Sequence, residues 1–305
     1  MIKRKRNKKK RILFSAGSFK PKKDKSGSLG PGLIRLLKIS SIALVVIAIG
    51  TFLVLAEKYV RTTNPTGTGP VVFVNAPEWI GEQLKSKILG YADGKTFQLN
   101  EEAAEVVAKN LSASAWISEI KAITTDKEIQ IYATFRKPVA LINSGLSPFY
   151  VDAEQVVLDY VPMPHLLIVE IKGLSPLKKM PRYGEVWNSN DLAAAIKLLN
   201  RINRMDKEIT PTKPLLREIA SFDVSNYNGR KNRSRPHIVL FTKENTEIQW
   251  GAELGAWQKY LESTDEQKLA KLYGYYQAYN TLSAGAKYIN LRDPRDNIPL
   301  PIDRY

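Results

Sequence analysis

The stretch "IYATFRKPVALINSGLSPFYVDAEQVVLDY", residues Ile131–Tyr160, decides how the chain is organised. It begins with an alternation in which Ile131, Ala133 and Phe135 fall on one face, and this period of two predicts a strand with one buried side. Pro138 interrupts the alternation, because proline has no N–H to give to a strand ladder. Short apolar runs separated by turns follow. The stretch therefore predicts a junction between a domain that ends at residue 137 and a second that begins at Pro138.

Residues 71–137 are predicted to form a compact module with the order β-α-α-β-β. A short strand, "VVFVNAP", opens the module, and two amphipathic helices and two strands follow it. Asn100 is the candidate N-cap of the second helix. Arg136 and Lys137, at the end of the last strand, are expected to face solvent.

Residues 138–305 are predicted to form a mixed β domain with flanking helices. Short apolar runs alternate with turns, which is typical of strands, and two helical patterns interrupt them. The first helix is predicted to begin at Ser189 or Asn190 and the second at Ser263 or Thr264, since these side chains are good N-caps. Together the two domains define an α+β fold.

The N-terminal segment holds most of the positive charge. The chain carries 46 Lys and Arg against 30 Asp and Glu, a net charge of +16, of which +13 lies in residues 1–38. Residues 39–56, "ISSIALVVIAIGTFLVLA", have no charged side chain. A helix of that length spans about 27 Å, close to the roughly 30 Å of a bilayer core. The sequence therefore predicts a basic cytoplasmic tail over residues 1–38, a single N-terminal transmembrane helix over residues 39–56 and a linker over residues 57–70.

The position of the basic tail also predicts the orientation. An excess of Lys and Arg before the apolar segment places the N-terminus in the cytoplasm and residues 57–305 outside it, as in a single-pass type II protein of the inner (plasma) membrane. A cleaved signal peptide is the alternative, since residues 54–56, "VLA", loosely fit a cleavage site. The chain has no Cys, so packing alone, without disulfides, has to stabilise the external part.

No catalytic, cofactor-binding or metal-binding residue is predicted. Of the two histidines, His165 and His237, neither has a partner at a metal-ligand spacing. No serine-hydrolase elbow and no phosphate-binding glycine loop is present in the sequence. One group of acids remains open as a site whose members meet in space: Asp152, Glu154, Glu170 and Asp223. We therefore predict a protein that is not an enzyme and has no cofactor or small-molecule substrate, with a membrane-anchored envelope enzyme as the alternative.

The last predicted helix offers one surface for a partner. Its expected inner face carries Leu269, Leu272, Tyr273 and Tyr276. Tyr275 and Tyr279 lie on another face and are predicted to contact a partner, because tyrosine is enriched at protein interfaces.

Five short segments resemble the FtsQ/DivIB family of bacterial cell-division proteins. They are Phe135–Ala140 ("FRKPVA"), Tyr150–Val157 ("YVDAEQVV"), Trp116-Ile117, "EIQWGAELG" from Glu247 and "AKYINLRDP" from Ala286. Each segment alone is a weak signal, and their combination covers essentially the whole chain. The resemblance implies a POTRA domain over residues 71–137 and a β domain over residues 138–305.

The resemblance also implies a function. Proteins of this family are non-catalytic and bridge FtsB (DivIC in some lineages) and FtsL to septal peptidoglycan synthesis. The expected partners are therefore FtsB/DivIC-like and FtsL-like bitopic proteins at the division septum, and not nucleic acid. Strand edges suit this role, because an added strand obtains affinity from main-chain hydrogen bonds and specificity from side chains. The family's partner strand corresponds to the predicted final strand, 286–292, and gives the candidate partner-binding residues Lys287, Tyr288, Ile289, Asn290, Leu291, Arg292 and Asp293.

Two further alternatives remain open. One is a POTRA-type chaperone for exported proteins, which usually has several such repeats or a membrane barrel. The other is a protein that binds nucleic acid or anionic lipid through the basic residues 1–25.

Overall fold

The computed structural model describes residues 44–56, 67–145, 147–177 and 179–295. The chain divides into two compact units, residues 1–63 and residues 64–305. The described part of the first unit is a helix, α1, over residues 44–56. The predicted basic tail lies outside the described residues.

The predicted transmembrane helix over residues 39–56 is wrong. Among the described residues, no helix is both long enough and apolar enough to cross a bilayer. The fold class is therefore corrected to an α+β fold with a large eight-stranded sheet and, in the part of the chain that the structure describes, no helix able to span a bilayer. The location in the plasma membrane and at the septum stays a prediction.

Residues 67–135 combine two helices with two small sheets. The strands are β1 (Thr68–Gly69), β2 (Val71–Phe73), β3 (Phe97–Gln98), β4 (Ile117–Thr124) and β5 (Ile129–Phe135). The helices are α2 (Glu82–Leu89) and α3 (Glu101–Leu111). Strands β2, β5 and β4 form a sheet in that order, with β2 parallel and β4 antiparallel to β5, and β1 pairs separately with β3.

Local sequence explains two of these elements. Ile129, Ile131 and Ala133 are buried on one face of β5, as the alternation predicted. Asn100 caps α3, because its side-chain oxygen accepts a hydrogen bond from the N–H of Ala103 at 2.7 Å. Both predictions are confirmed.

Residues 138–295 build the large mixed sheet. Its strands are β6 (Pro138–Asn143), β7 (Pro148–Asp152), β8 (Val157–Asp159), β9 (Val169–Lys172), β10 (Ile219–Asp223), β11 (Ile238–Thr242), β12 (Glu247–Gly251) and β13 (Tyr288–Asn290). The order across the sheet is β13-β12-β11-β10-β9-β6-β7-β8. The pairs β6/β9, β9/β10 and β12/β13 are parallel and the others are antiparallel.

Two long helices share one hydrophobic core with this sheet. Helix α4 spans Asn190–Ile209 and α5 spans Asp265–Tyr279, so both begin where the sequence predicted. The side chain of Thr264 accepts from the N–H of Gln267 at 3.2 Å, and the Gln267 side chain accepts in return from the N–H of Thr264. This reciprocal capping box fixes the start of α5.

The junction at Pro138 is packed rather than solvated. Arg136 donates from Nη1 to the carboxylate of Asp152 at 3.0 Å, and Asp152 is only 1% exposed. Trp116 donates from Nε1 to Asp159 at 2.8 Å, which joins the smaller sheet to β8. The expectation that Arg136 faces solvent is therefore wrong.

Candidate partner-binding edge

Strand β13 forms one end of the eight-stranded sheet. It pairs with β12 on one side, and no described strand pairs with its other side. Its bounds, Tyr288–Asn290, are shorter than the predicted strand over residues 286–292. The predicted partner-binding residues therefore lie on this strand and on the segments that flank it.

The backbone groups of β13 alternate in direction. The carbonyl of Lys287 accepts from a β12 amide at 3.3 Å, and the N–H of Leu291 donates to a β12 carbonyl at 3.2 Å. In a strand ladder, every second residue bonds to the same neighbour. Ile289 therefore also faces β12, whereas the N–H and C=O groups of Tyr288 and Asn290 face outward.

The side chains alternate as well. Ile289 and Leu291 are fully buried in the core, so they hold the strand in place and offer no surface to a partner. Tyr288 and Asn290 are half-buried, and Lys287 is exposed. A partner strand at this edge would meet the outward backbone groups and these three side chains.

The opposite end of the sheet, β8, is covered. The N–H of Val157 donates to the carbonyl of Glu185 at 2.9 Å, and the N–H of Gly184 donates to the carbonyl of Val157 at 2.7 Å. A further bond joins the N–H of Trp187 to the carbonyl of Gln155 at 2.8 Å. In the described part of this sheet, the outward backbone groups of Val157 in β8 are thus paired, whereas no described backbone group pairs with those of Tyr288 and Asn290 in β13.

The segment after β13 turns inward. Nε of Arg292 donates to Oε1 of Glu262 at 2.7 Å, and the carbonyl of Arg292 accepts from the N–H of Ser263 at 2.8 Å. The carbonyl of Asp293 accepts from the ammonium group of Lys271. These contacts fasten the end of β13 to α5 and to the residues before it, and the contact of Arg292 and Asp293 with a partner stays a prediction.

Glu262 lies at the centre of a buried ionic cluster. Its carboxylate accepts from Nζ of Lys268 at 2.6 Å and from the N–H of Ala252 at 2.9 Å, besides its contact with Arg292. Lys268 is 0% exposed, and its Nζ lies 5.3 Å from the centre of the Trp250 ring. Burial alone would raise the pKa of Glu262, but Lys268 and these hydrogen bonds outweigh burial and lower it. The carboxylate therefore stays ionised.

Sequence reasoning missed this cluster, although one signal was present. Lys268 precedes Leu272, a residue of the expected inner face, by four residues, which places it beside that face of α5. A lysine is almost never fully buried without an ionic partner, so this position indicated a buried acid nearby. Glu262 and Arg292 lie outside the helical pattern, and only the fold brings them together.

The two tyrosines of α5 do not form the predicted surface. Tyr275 is fully buried, so the prediction that it contacts a partner is wrong. Tyr279 is half-buried, and its ring centre lies 4.7 Å from that of Tyr275. The reason is that α5 packs into the core on more than one side, so residues on both predicted faces become buried.

The residues considered for chemistry have structural contacts. Asp223 accepts from a backbone N–H at 2.6 Å, and Glu170 lies 3.2 Å from Nζ of Lys172. His165 contacts a backbone carbonyl at 2.7 Å, and burial lowers the pKa of His237. Within the described residues, no group of three or more His, Asp or Glu is arranged to hold a metal ion.

Comparison with known proteins does not assign the chain to a family. No protein-family model matches the chain, and no curated protein is significantly similar to it. The link to the FtsQ/DivIB family is therefore carried by the short sequence segments alone.

Proposed function

We propose that the protein is a non-catalytic scaffold of the bacterial division machinery that binds FtsB/DivIC-like and FtsL-like partners by accepting a strand at β13. The observation that carries the proposal is the outer edge of β13, where Tyr288 and Asn290 direct their backbone groups away from the sheet. Such a row of groups is a template for an added strand. The resemblance of the sequence supplies the class of partner.

The fastening of β13 supports the proposal. The strand has three residues, and it is held by the buried side chain of Ile289 and by the contacts of Arg292 with Glu262 and Ser263. An edge that is already fixed loses little conformational freedom when a partner binds. The half-buried side chains of Tyr288 and Asn290 then provide specificity.

Tyr288 is the position at which the proposal is best tested. Replacing it with proline removes an outward N–H while sparing the bonds to β12, and proline is tolerated on the outer side of an edge strand. Tyr288→Thr is the matched control, because it removes the ring and keeps the N–H. We expect Tyr288→Pro to weaken binding of the FtsB/DivIC-like partner by at least about tenfold, since the partner's carbonyl loses its donor.

Binding is measured by co-purification of tagged full-length chain and by titration of the recovered partner. A thermal melt of each variant shows whether it is folded. If Tyr288→Pro is folded and still binds as Tyr288→Thr does, the partner does not add a strand at this edge. Recovery of no short bitopic division protein by the wild type would overturn the scaffold role itself.

A further inference from the structure

A basic loop joins β10 to β11. Its residues 226–236, "NYNGRKNRSRP", include four Lys or Arg and no Asp or Glu. Three of these cations are exposed, and no acid in the described part of the chain forms an ion pair with them: Lys231, Arg233 and Arg235. The loop therefore presents positive charge that the protein itself does not neutralise.

A buried side chain holds this loop in one shape. Oδ1 of Asn226 accepts from the N–H groups of Lys231 and Asn232 at 2.9 and 2.8 Å. Its Nδ2 lies 2.8–3.1 Å from three loop carbonyl oxygens, those of Asn232, Arg235 and Pro236. The positions from which the cations extend are therefore fixed before anything binds, which lowers the entropic cost of binding.

Arg230, the fourth cation, is used by the fold. Its guanidinium group donates to the carbonyls of Gly173 and Val224 and to the buried carboxylate of Asp191, the last at 2.8 Å. These bonds fasten the base of the loop to the sheet, so the charge available to a ligand is that of the other three side chains.

Leu261 is the most exposed large apolar side chain of the described residues, at 87%. Its φ is +55°, in the left-handed region that leucine avoids. Neither feature helps the fold, since an exposed side chain buries no apolar surface and a left-handed leucine is strained. A residue kept in such a state indicates a role other than stability.

Both neighbours of Leu261 contact the basic loop. The hydroxyl of Tyr260 donates to a loop side-chain oxygen at 2.6 Å. Glu262 binds Nε of Arg292, whose Nη1 donates to the loop carbonyl of Ser234 at 3.3 Å. The exposed leucine therefore lies beside the exposed cations.

The segment that leads to Leu261 has the composition of a surface at a membrane boundary. Trp257 and Tyr260 are half-buried, and Lys259 is exposed with its Nζ 5.2 Å from the centre of the Tyr260 ring. Trp and Tyr concentrate where the hydrocarbon of a bilayer meets water, and Lys and Arg bind anionic headgroups there.

A bilayer fits these features better than a folded acidic partner does. A protein would need a shaped pocket for so exposed a leucine, and lysine is depleted at protein interfaces. A bilayer accepts an apolar side chain anywhere on its surface, and its mobile headgroups adapt to the positions of the cations.

We propose that this basic surface, formed by Lys231, Arg233, Arg235 and Lys259 around Leu261, binds the phosphate headgroups of an anionic bilayer, with Leu261 inserted below them. The surface is separate from the strand edge of β13, and its test needs no division partner, so either proposal can fail alone.

A single fluorophore on the full chain reports insertion. Because the chain has no Cys, Leu261→Cys takes one NBD label. Tyr183→Cys is the control, since Tyr183 is 55% exposed and lies next to β8, at the opposite end of the sheet. With phosphatidylglycerol vesicles, the label at residue 261 should shift to the blue and be quenched by brominated acyl chains, whereas the label at residue 183 should stay in water. The comparison separates insertion of this surface from attachment of the chain elsewhere.

The role of charge is measured at one fixed lipid concentration. Each removed cation should lower the ratio of inserted to water-exposed label about fivefold, so Lys231→Gln with Arg235→Gln should lower it about 25-fold. Lys207→Gln with Lys243→Gln removes the same charge from exposed positions outside the surface and should change the ratio less than about twofold. Phosphatidylcholine vesicles, which carry no net charge, should give little insertion.

An unlabelled variant tests whether Leu261 serves the fold instead. Asn adopts a positive φ more readily than leucine, so Leu261→Asn should melt at or above the Tm of the wild type. A lower Tm would show that the leucine stabilises the protein and would overturn the proposal. Equal responses of the two labels, equal insertion into both lipids, or equal losses in the two pairs of variants would overturn it as well. A response of the label at residue 261 to poly-glutamate but not to vesicles would identify an acidic protein as the partner in place of a membrane.

Discussion

Replacing Lys268 with methionine tests the buried ionic cluster that fastens β13. Lys268 is 0% exposed and its partner carboxylate, in Glu262, is 3% exposed. Breaking such a pair by removing one member costs about 3–5 kcal/mol, because the other charge is left buried. Glu262 keeps its bonds to Arg292 and to the N–H of Ala252, so the lower end of that range, about 3 kcal/mol, is expected.

This loss is large enough for a thermal melt. In a unit of this size each kcal/mol shifts Tm by about 2–4 °C, so Lys268→Met should lower Tm by about 6–12 °C at neutral pH. Gln277→Met is the matched control, because it places the same side chain at an exposed position of α5. It should shift Tm by less than about 2 °C, as is usual for surface substitutions.

A second substitution separates charge from packing. In the Glu262→Gln background, Lys268→Met no longer breaks a charge pair with Glu262, so it should lower Tm by less than it does in the wild type. If Lys268→Met melts within about 2 °C of Gln277→Met, the cluster does not contribute in the way its geometry indicates. A purely additive further loss in the double variant would contradict the ionic explanation and leave packing as the cause.

Three other predictions follow from the same region and from the buried Asp191 carboxylate. The pKa values of the Glu262 and Asp191 carboxyl groups are held below their ordinary range despite burial. The stability that these groups supply is therefore present above their pKa in the unfolded chain and is lost as pH falls through their pKa in the folded chain. An acid titration of the wild type, followed by circular dichroism, should show this loss, and the loss should be smaller in Glu262→Gln. Gly251→Ala should lower the free energy of unfolding in urea by more than about 2 kcal/mol, because φ at Gly251 is +95° and the added Cβ would lie 2.2 Å from a Glu262 oxygen. Gly255→Ala is the control, since φ is +87° there but the added Cβ meets open space, and it should lower the free energy by about 1 kcal/mol. Equal losses in the two variants would contradict the clash. Thr264→Ala should cost about 1 kcal/mol through loss of the cap of α5, and an unchanged unfolding midpoint would contradict it.

Local patterns predicted the parts of the fold that depend on neighbouring residues. The starts of α4 and α5 and the buried face of β5 follow from caps and from periodicity over a few residues, and the structure has them where the sequence indicated. The apolar run over residues 39–56 shows the limit of the same reasoning. Composition gave its hydropathy, but no helix among the described residues is both long enough and apolar enough to cross a membrane.

The candidate sites depend on contacts between distant residues, which periodicity does not contain. Glu262 meets Arg292 across 30 positions, and Arg230 reaches Gly173 across 57. The insertion of β9 between β6 and β10 places Gly173 beside the loop that holds Arg230, and nothing in the short apolar runs indicates that order. A lysine on the inner stripe of α5 was the one local sign of a buried site.

The ionic cluster also explains how a strand of three residues serves as an edge. So short a strand makes few ladder bonds, and the end strand of a sheet frays more readily than an inner one. The bonds of Arg292 to Glu262 and Ser263 join the end of β13 to α5, whose start is itself capped, so the strand shares the stability of the helix. Hydrogen exchange provides the discriminating measurement. If Lys268→Met speeds exchange at Ile289, the β13 amide that faces β12, no more than at amides in β6, the cluster stabilises the fold as a whole and has no particular role at the edge.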